Sequence, residues 1–554
     1  MKQILLYGIF FFSGMSSLIA EITWNRMLVL IIGNTVMATS FLLVAFMGGL
    51  AFGSYWGSRH FSHLPRSSKA SGTSSLLPYC ILELCIGIYV VSSPVFFHPV
   101  SNLFSNIAPL ISNSTALYIA RFSVAFGCLF FPAFMMGATF PAIVAGSALK
   151  DSQNRVSRTG YLYAINTLGA AAGCLGSGYL LLPKIGVQLT LVVAFFINII
   201  AATGAFVLHI LQKKEKKNLK TGYQQSEMTE NDQRLAISNQ QSESSSFLHL
   251  VCIATFIIGF IALAYEVLLT RLVILFFGNQ LIVFTLVLTA FLLGTGISAF
   301  IGTIIHRYIK NTSLLFGVII IAVGVFIVVP PFLFISLSTS EKTWLILNRA
   351  FLVGLIMLVP IFFIGGLLPL AIRIFENQGP GVRGQGPEGK LENGQTSLSR
   401  PPIAYTAGKL YALNTFGGML GAGITNYFLV PIIGTQGTLT FFSIICLAIG
   451  LAVFISPLFP LKKGKTRGVF LRLTFAVITV FALSAFVITL PHKLGELYTS
   501  KLARVSGGDI EPDLKLHHEG RVATITIIDF PWLGFRDMFL NGVEEASTRF
   551  SHVQ

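Results

Sequence analysis

Long apolar runs alternate with short polar gaps along most of the chain. Twelve runs could each cross a bilayer as a helix, because about twenty apolar residues span its hydrocarbon core. A thirteenth run lies at 468–490. The pattern predicts an all-α polytopic membrane protein with spans at about 4–25, 34–57, 77–98, 115–147, 160–182, 188–211, 247–275, 280–305, 313–337, 343–375, 405–429 and 437–457.

Two long segments of the first half recur in the second half in the same order. AEITWNRMLVLIIGN at 20–34 aligns without gaps with YEVLLTRLVILFFGN at 265–279. GYLYAINTLGAAAG at 160–173 aligns equally well with GKLYALNTFGGMLG at 408–421. The chain therefore contains an internal duplication.

A third repeated segment, LPKIGVQLTL at 182–191, matches VPIIGTQGTL at 430–439. Each copy holds six predicted spans, an even number, so both copies enter the membrane in the same direction. We predict two parallel six-helix repeats over 1–211 and 247–457, an arrangement typical of transporters.

Positive charge predicts the orientation. Lysines and arginines gather in the gaps after the second and fourth span of each repeat, and cytoplasmic loops carry such an excess. The amino terminus and the polar linker at 212–246 are therefore predicted to lie in the cytoplasm, with the protein in the cell (inner) membrane. The lipid bilayer is its first expected partner.

A few charged residues remain inside the apolar runs. Glu21 lies late in the first span and Arg121 early in the fourth, so both are predicted at similar depth. Glu266 and Arg349 hold the same places in the second repeat. Buried charges of this kind are expected to pair. Two interpretations remain: the pairs form gates or part of a polar translocation path, or they are structural staples between the first and fourth spans.

Three further charges lack such a pairing. Glu83 lies in the third span without a counterpart in the second repeat, which indicates either an asymmetric functional role or an interfacial residue. Arg26 and Arg271 follow the repeated acids by five residues. Their long side chains are expected to extend to the outer interface.

Repeated glycines indicate close helix packing. Gly169 and Gly173 form a GxxxG pair, and Gly417 and Gly421 form the equivalent pair in the second repeat. Such pairs let two transmembrane helices approach each other closely.

A polar pair precedes each glycine pair. Tyr163 with Asn166, and Tyr411 with Asn414, are predicted at the cytoplasmic mouth of the fifth span of each repeat. They either cap helix ends or line an inner vestibule.

Composition narrows the class of protein. The 554 residues are 54% hydrophobic and 11% charged, with a mean hydropathy of +0.76, which disfavours a soluble globular enzyme. The net charge of +16 lies in short loops and not on one groove face, so no nucleic-acid partner is expected. The six cysteines lack metal-ligand spacing. We expect no metal and no cofactor.

The segment at 491–554 differs from the rest of the chain. RVATITIIDF at 521–530 alternates as a strand does, and PWLG then separates it from the strand-like RDMFLNG at 536–542. A short β-hairpin module is predicted. If 468–490 crosses the membrane as a thirteenth span, the module is extracytoplasmic.

The chain resembles a known family over nearly its whole length. AEITWNR, FMGGLAFGSYWG, GATFP and GYLYAINTLGA, with LKLHHEGRVATITIID and MFLNGVEEAST in the tail, resemble bacterial spermidine-synthase-like membrane proteins. In that family a transporter-like membrane region is fused to an aminopropyltransferase-like domain, and 514–548 is similar to the amino-terminal β-region of that domain. The membrane part also resembles, distantly, the major facilitator superfamily.

The resemblance leaves the catalytic part of the enzyme unmatched. No glycine-rich nucleotide loop follows a strand, and no later Asp is present to deprotonate an amine. Glu544 and Glu545 also stand where soluble members of the family usually have an uncharged residue and Gln. No catalytic residue is therefore assigned, and aminopropyltransferase activity of this chain alone is not expected.

Two hypotheses of function follow. The chain is a transporter-like protein for a polyamine or another small cation, with Glu21, Glu266 and Glu83 supplying negative charge. Alternatively, it is the membrane subunit of a split or truncated aminopropyltransferase whose catalytic domain is encoded separately.

Overall fold

The fold of the first repeat contains six long helices. A computed structural model describes residues 2–32, 35–62, 75–147, 155–220, 241–277, 280–305, 308–309, 311–331, 349–378, 403–455, 513–519, 524–530, 535–540 and 543–547. The first-repeat helices are α1 (Lys2–Ile32), α2 (Thr35–Ser62), α3 (Leu77–Ile107), α4 (Ser114–Gly146), α5 (Arg155–Gly176) and α6 (Leu182–Lys220). A π-helical segment, Ser177–Leu181, joins α5 to α6.

The second repeat follows the same order. Its helices are α7 (Gln241–Phe277), α8 (Gln280–Ile305), α9 (Thr312–Phe326), α10 (Arg349–Gly365), α11 (Leu367–Gln378), α12 (Ile403–Ile424) and α13 (Val430–Ile455). Here α10 and α11 together take the place of α4. A π-helical segment, Thr425–Leu429, joins α12 to α13, as in the first repeat.

The chain reverses direction between α5 and α6. Gly186, near the start of α6, has φ 73° and ψ −179°, a conformation that glycine alone adopts readily. On α1, Met15 contacts Gly173 of α5, and the neighbouring Ser16 bonds to Ala194 of α6. Residues 21 positions apart thus meet the same turn of α1, so α5 and α6 are two separate spans.

The same reversal occurs between α12 and α13. Gly434 has φ 71° and ψ 171°. Phe260 of α7 contacts Gly421 of α12, and its ring lies 5.9 Å from the ring of Phe442 of α13. The second repeat therefore contains the same helical hairpin as the first.

Twelve crossing segments result. In the described part of the chain, nine helices are long and apolar enough to cross a membrane, and two of these contain the reversals at Gly186 and Gly434. The shorter apolar helix α9 completes the second repeat. The prediction of an all-α polytopic membrane protein with two six-helix repeats is confirmed, while the predicted thirteenth span at 468–490 lies outside the described residues.

Equivalent helices pack alike in the two repeats. Within the first, α1 packs on α5 and α6, α2 on α4, and α3 on α6; within the second, α7 packs on α12 and α13, α8 on α10, and α9 on α13. Between repeats, α2 packs on α12 and α5 packs on α8. These two contacts exchange under the repeat, as a pseudo-two-fold axis requires.

The tail contains a larger sheet than the predicted hairpin. Four strands, β1 (Asp513–Glu519), β2 (Thr524–Phe530), β3 (Phe535–Leu540) and β4 (Val543–Ser547), pair antiparallel in sequence order. The two predicted strands correspond to β2 and β3. Of the predicted linker at 212–246, the structure describes both ends, where α6 extends to Lys220 and α7 begins at Gln241.

Candidate functional site

Two buried carboxyl groups of the two repeats lie within electrostatic range of each other. Glu21 of α1 and Glu266 of α7 occupy equivalent places, and each is only 2% exposed. The Oε1 atom of each has no hydrogen-bond partner. We call these two residues the acid pair.

Polar groups of two other helices surround the acid pair. Cys174 of α5 lies within electrostatic range of both carboxyl groups, and Tyr411 of α12 lies within range of Glu21. The Cys174 thiol also accepts a hydrogen bond of 3.3 Å from the Thr289 hydroxyl of α8. Four of the helices that meet at the repeat boundary, α1, α5, α7 and α12, thus contribute to one site.

An aromatic cluster lies toward the amino-terminal ends of α5 and α12. The rings of Tyr163 and Tyr411 are 6.3 Å apart, and Phe140 of α4 lies 5.3 Å from Tyr411 and 6.4 Å from Tyr163. The two predicted tyrosines therefore meet across the repeat boundary. Their role as helix caps or as the lining of an inner vestibule stays a prediction.

The predicted pairing of Glu21 with Arg121 is not present. Glu21 forms no ion pair within the described part of the chain, and the buried Nε of Arg121 has no hydrogen-bond partner. The reason is packing, because α4 lies mainly against α2 and α3 and has little contact with α1. Equal depth in the membrane did not place the two side chains face to face. For Arg349 the structure gives the backbone, which begins α10, and its side chain lies outside the description.

Arg271 lies inside the protein, whereas Arg26 is exposed as expected. The Arg271 guanidinium donates from Nε and Nη2 to Oδ1 of Asn426, with a Nε to Oδ1 distance of 3.0 Å. Asn426 in turn donates to the Ser40 hydroxyl at 2.9 Å. This network connects α7, the second π-helical segment and α2. Asn426 was not predicted from the sequence, because its counterpart in the first repeat is Gly178 and no repeated polar residue indicated it.

The two repeat boundaries are closed at both ends of the helices. At the amino-terminal end of α5, Gly160 lies against Thr303 of α8. At the carboxyl-terminal side of the same span, Gly178 lies against Thr285. The α2 to α12 boundary is closed in the same way, by the Ser54 hydroxyl bonding to the Gly408 carbonyl at 3.0 Å and by the Asn426 network. Contacts near both ends therefore join the helices at each repeat boundary.

Glu83 lies apart from the acid pair. It is fully buried in α3, and its Oε1 accepts a hydrogen bond of 2.5 Å from the Ser13 hydroxyl of α1. Its Oε2 has no hydrogen-bond partner. Glu83 is thus a core residue of the first repeat and does not lie at a lipid interface.

The repeated glycines lie at close helix contacts. A Cβ added at Gly169 or Gly173 would collide with a backbone carbonyl of α1, and one added at Gly417 or Gly421 would collide with a carbonyl of α7. The contacted residues are Phe11, Met15, Phe256 and Phe260, respectively.

The repeated asparagines also lie at these helix contacts. The Asn166 amide donates to the Phe10 carbonyl at 2.9 Å, which ties α5 to α1. The backbone carbonyls of Asn166 and Asn414 lie against Gly14 and Gly259 in the two repeats. These positions join neighbouring helices within each repeat.

The site offers oxygen and sulfur atoms but no compact metal centre. Among the described residues, no group of three or more His, Cys, Asp and Glu side chains could hold a metal ion. Two buried carboxyl groups with polar side chains beside them are instead suited to attract a cationic guest.

Comparison with known proteins gives a likeness of overall structure only. No protein-family model and no curated protein matches the sequence. Similar solved structures include a bacterial homologue of the iron transporter ferroportin in an outward-facing state, with 11% identity, a TM-score of 0.46, and coverage of 82% of this chain and 98% of that one. A bacterial homologue of the human lysosomal transporter Spinster, inward-facing and unoccupied, shows 11% identity, a TM-score of 0.33, and coverage of 89% and 98%. These values are low, and no substrate or mechanism is taken from them.

Proposed function

We propose that this protein is a membrane carrier for small organic cations, with the acid pair as the central binding site. The single observation that supports this most strongly is that Glu21 and Glu266, one buried in each repeat, lie within electrostatic range of each other, each with an oxygen that lacks a hydrogen-bond partner. Ionisable residues inside a membrane are costly, and they mark substrate or ion pathways.

The charge of the site favours a cation with two amino groups. Two carboxylates that repel each other become stable together when a dication neutralises both. A polyamine carries separate ammonium groups along an apolar chain, and the site combines two acids with Tyr411 and Tyr163, whose ring faces attract cations. A polyamine is therefore the proposed substrate class.

The two repeats provide a means of alternating access. Carriers built from two repeats expose a fixed midplane site by rocking one repeat against the other. In this protein the moving boundaries would be α2 with α12 and α5 with α8, which are closed at both ends. We propose that the structure corresponds to an enclosed state of such a cycle.

Uptake into proteoliposomes tests the proposal. The purified full-length chain should accumulate labelled spermidine, and Glu21→Gln and Glu266→Gln should each reduce uptake at least tenfold. Arg26→Gln is the matched control, because Arg26 lies on the same helix as Glu21 but is exposed. Uptake by the wild-type protein that both Gln variants retain would refute the role of the acid pair.

A second candidate function rests on the tail. We infer it from the four-stranded antiparallel sheet of β1 to β4, which falls in the segment that resembles the amino-terminal β-region of spermidine synthase. In this alternative the chain is the membrane subunit of a split aminopropyltransferase. A coding region directly downstream, beginning with a strand, a glycine-rich loop and a helix, would favour it. Co-purification of that product with this chain would be the direct test.

A further inference from the structure

A second buried polar group lies within the first repeat, away from the acid pair. Glu83 accepts the hydrogen bond from Ser13, and its Oε2 is buried without a partner. Tyr79 lies one helical turn earlier on α3, and its hydroxyl lies within hydrogen-bonding reach of Glu83 and Ser13, although it meets the strict geometry of a hydrogen bond with neither. All three side chains are at most 4% exposed.

Asn198 of α6 faces the same part of α3. A Cβ added at Gly87 would lie 3.1 Å from the Cβ of Asn198, and Gly87 is one turn from Glu83. Both the Nδ2 and the Oδ1 of Asn198 are buried without a partner. A buried amide costs free energy unless its hydrogen bonds are made, so a polar guest bound to these two atoms would stabilise them.

The contacts of α1 place Ser13 and Asn198 at the same height. The Ser16 hydroxyl donates to the Ala194 carbonyl at 3.0 Å. Because α1 and α6 run antiparallel, the residue one turn before Ser16 lies in the same layer as the residue one turn after Ala194. Ser13 and Asn198 occupy those positions. We call Ser13, Tyr79, Glu83 and Asn198 the Glu83 cluster.

The second repeat has an equivalent layer. A Cβ added at Gly324 of α9 would lie 3.0 Å from the Cβ of Cys446 of α13, as Gly87 lies against Asn198. Residue 446 is also the repeat equivalent of residue 198, by the same offset that relates Gly186 to Gly434. The two glycine contacts are therefore corresponding positions.

The positions of this layer that correspond to the Glu83 cluster are apolar. One and two turns before Gly324 come Ile320 and Phe316, in the places of Glu83 and Tyr79, and Ile258 takes the place of Ser13. All are buried. At the equivalent positions this repeat has no acid, hydroxyl or amide, so it packs without a counterpart of the Glu83 cluster. Its hydroxyl in this layer is that of Ser443 of α13, which donates to the Gly324 carbonyl at 2.5 Å. The presence of the Glu83 cluster in the first repeat needs another cause.

We propose that the Glu83 cluster binds one sodium ion, with oxygens of Glu83, Asn198 and Ser13 as ligands. A hard cation takes oxygen ligands such as carboxylates, amide carbonyls and hydroxyls. Glu83 forms no ion pair within the described ranges, and a single positive ion would balance its charge. A divalent ion would leave an excess charge in an apolar surrounding, which is unfavourable.

Sodium binding can be measured without any transport, so its outcome is independent of the proposed function. The purified full-length chain in detergent should bind radioactive sodium saturably, at about one ion per chain. Sodium should also raise the thermal unfolding temperature more than potassium or choline at equal ionic strength, because a ligand stabilises the folded state that binds it. Glu83→Gln should abolish both effects.

Two further variants keep the test decisive if Glu83→Gln does not fold. Ser13→Ala retains the carboxylate. It should raise the sodium concentration at half-saturation on the order of tenfold, as the loss of a residue that supports a metal site does. Thr23→Ala is the matched control, because Thr23 is an equally buried hydroxyl of α1 that donates to the Ile19 carbonyl of the same helix, and it should bind sodium as the wild type does. Absence of sodium binding, stabilisation by acidification alone, or preference for calcium would each overturn the proposal.

Discussion

The side-chain amide of Asn426 accepts hydrogen bonds from the Arg271 guanidinium and donates one to the Ser40 hydroxyl. This single amide therefore joins α7 to α2 across the repeat boundary. The first repeat has Gly178 and Thr285 at the corresponding contact. Two boundaries related by the repeat are therefore held differently. The first has the Gly178 contact and hydrogen bonds through the Cys174 sulfur, and the second has an amide–guanidinium network.

We expect Asn426→Leu to destabilise the protein by about 3 kcal/mol, because it removes a hydrogen-bonding partner from a buried guanidinium. Ser40→Ala removes only the outer bond of the network and should cost about 1 kcal/mol. Unfolding of both variants in mixed detergent micelles measures the difference. Equal losses, or a larger loss for Ser40→Ala, would contradict the network.

The glycine contacts of the two repeats predict a second pair of effects. Gly169→Ala and Gly421→Ala should each destabilise the protein by about 1–3 kcal/mol, because the added methyl group meets a backbone carbonyl that cannot move aside. Gly176→Ala, on the same helix as Gly169, has no atom within 4 Å of the new methyl. It should leave stability unchanged or slightly raised, since alanine favours helix. A loss equal to that of Gly169→Ala would contradict the close contact.

The sequence predicted the repeat and most of its packing, because a duplication leaves its record in aligned motifs. The GxxxG pairs and the LPKIG and VPIIG turns are local patterns, and each lies where the pattern suggests. The polar contacts were harder to predict. The sequence predicts how deep a residue lies in the membrane, but it does not predict which neighbouring helix its side chain faces. Glu21 was therefore expected beside Arg121 and instead lies near Glu266.

The Glu83 cluster was even harder to predict from the sequence. Glu83 attracted notice as an unpaired acid, but Ser13 and Asn198 are separated from it by 70 and 115 positions and carry no motif. Only the packing of α1, α3 and α6 brings them together. Contacts of this kind depend on tertiary structure and leave no local pattern.

The turn glycines provide a third prediction. Gly186 has φ 73° and ψ −179°, a region open essentially to glycine. Gly186→Ala should cost about 1–3 kcal/mol although no atom lies within 4 Å of the added methyl. Gly186→Asn should cost as much, because asparagine tolerates the left-handed helical region and not this one. Gly127→Ala, at a helical glycine with open surroundings, is the control. A smaller loss of stability for Gly186→Asn than for Gly186→Ala would contradict this backbone conformation at Gly186.

The acid pair provides the fourth prediction, which concerns coupling. If Glu21 and Glu266 repel each other, either Glu→Gln change relieves the same repulsion, so the double variant should gain less stability than the sum of the two single variants. Groups in electrostatic contact show coupling energies of about 0.5–3 kcal/mol. The double-mutant cycle, measured by unfolding in detergent, should therefore give about 1 kcal/mol.

Glu21 and Glu83 form the control cycle. The structure shows electrostatic interaction of Glu21 with Glu266 but not with Glu83. The changes Glu21→Gln and Glu83→Gln should therefore add within about 0.5 kcal/mol, as independent sites do. If the control cycle gave a coupling energy as large as that of the acid pair, the coupling would be a property of the whole first repeat and not of the acid pair. Additivity in the acid pair itself would mean that the two carboxyl groups do not share one site, and a dication could not then be bound between them.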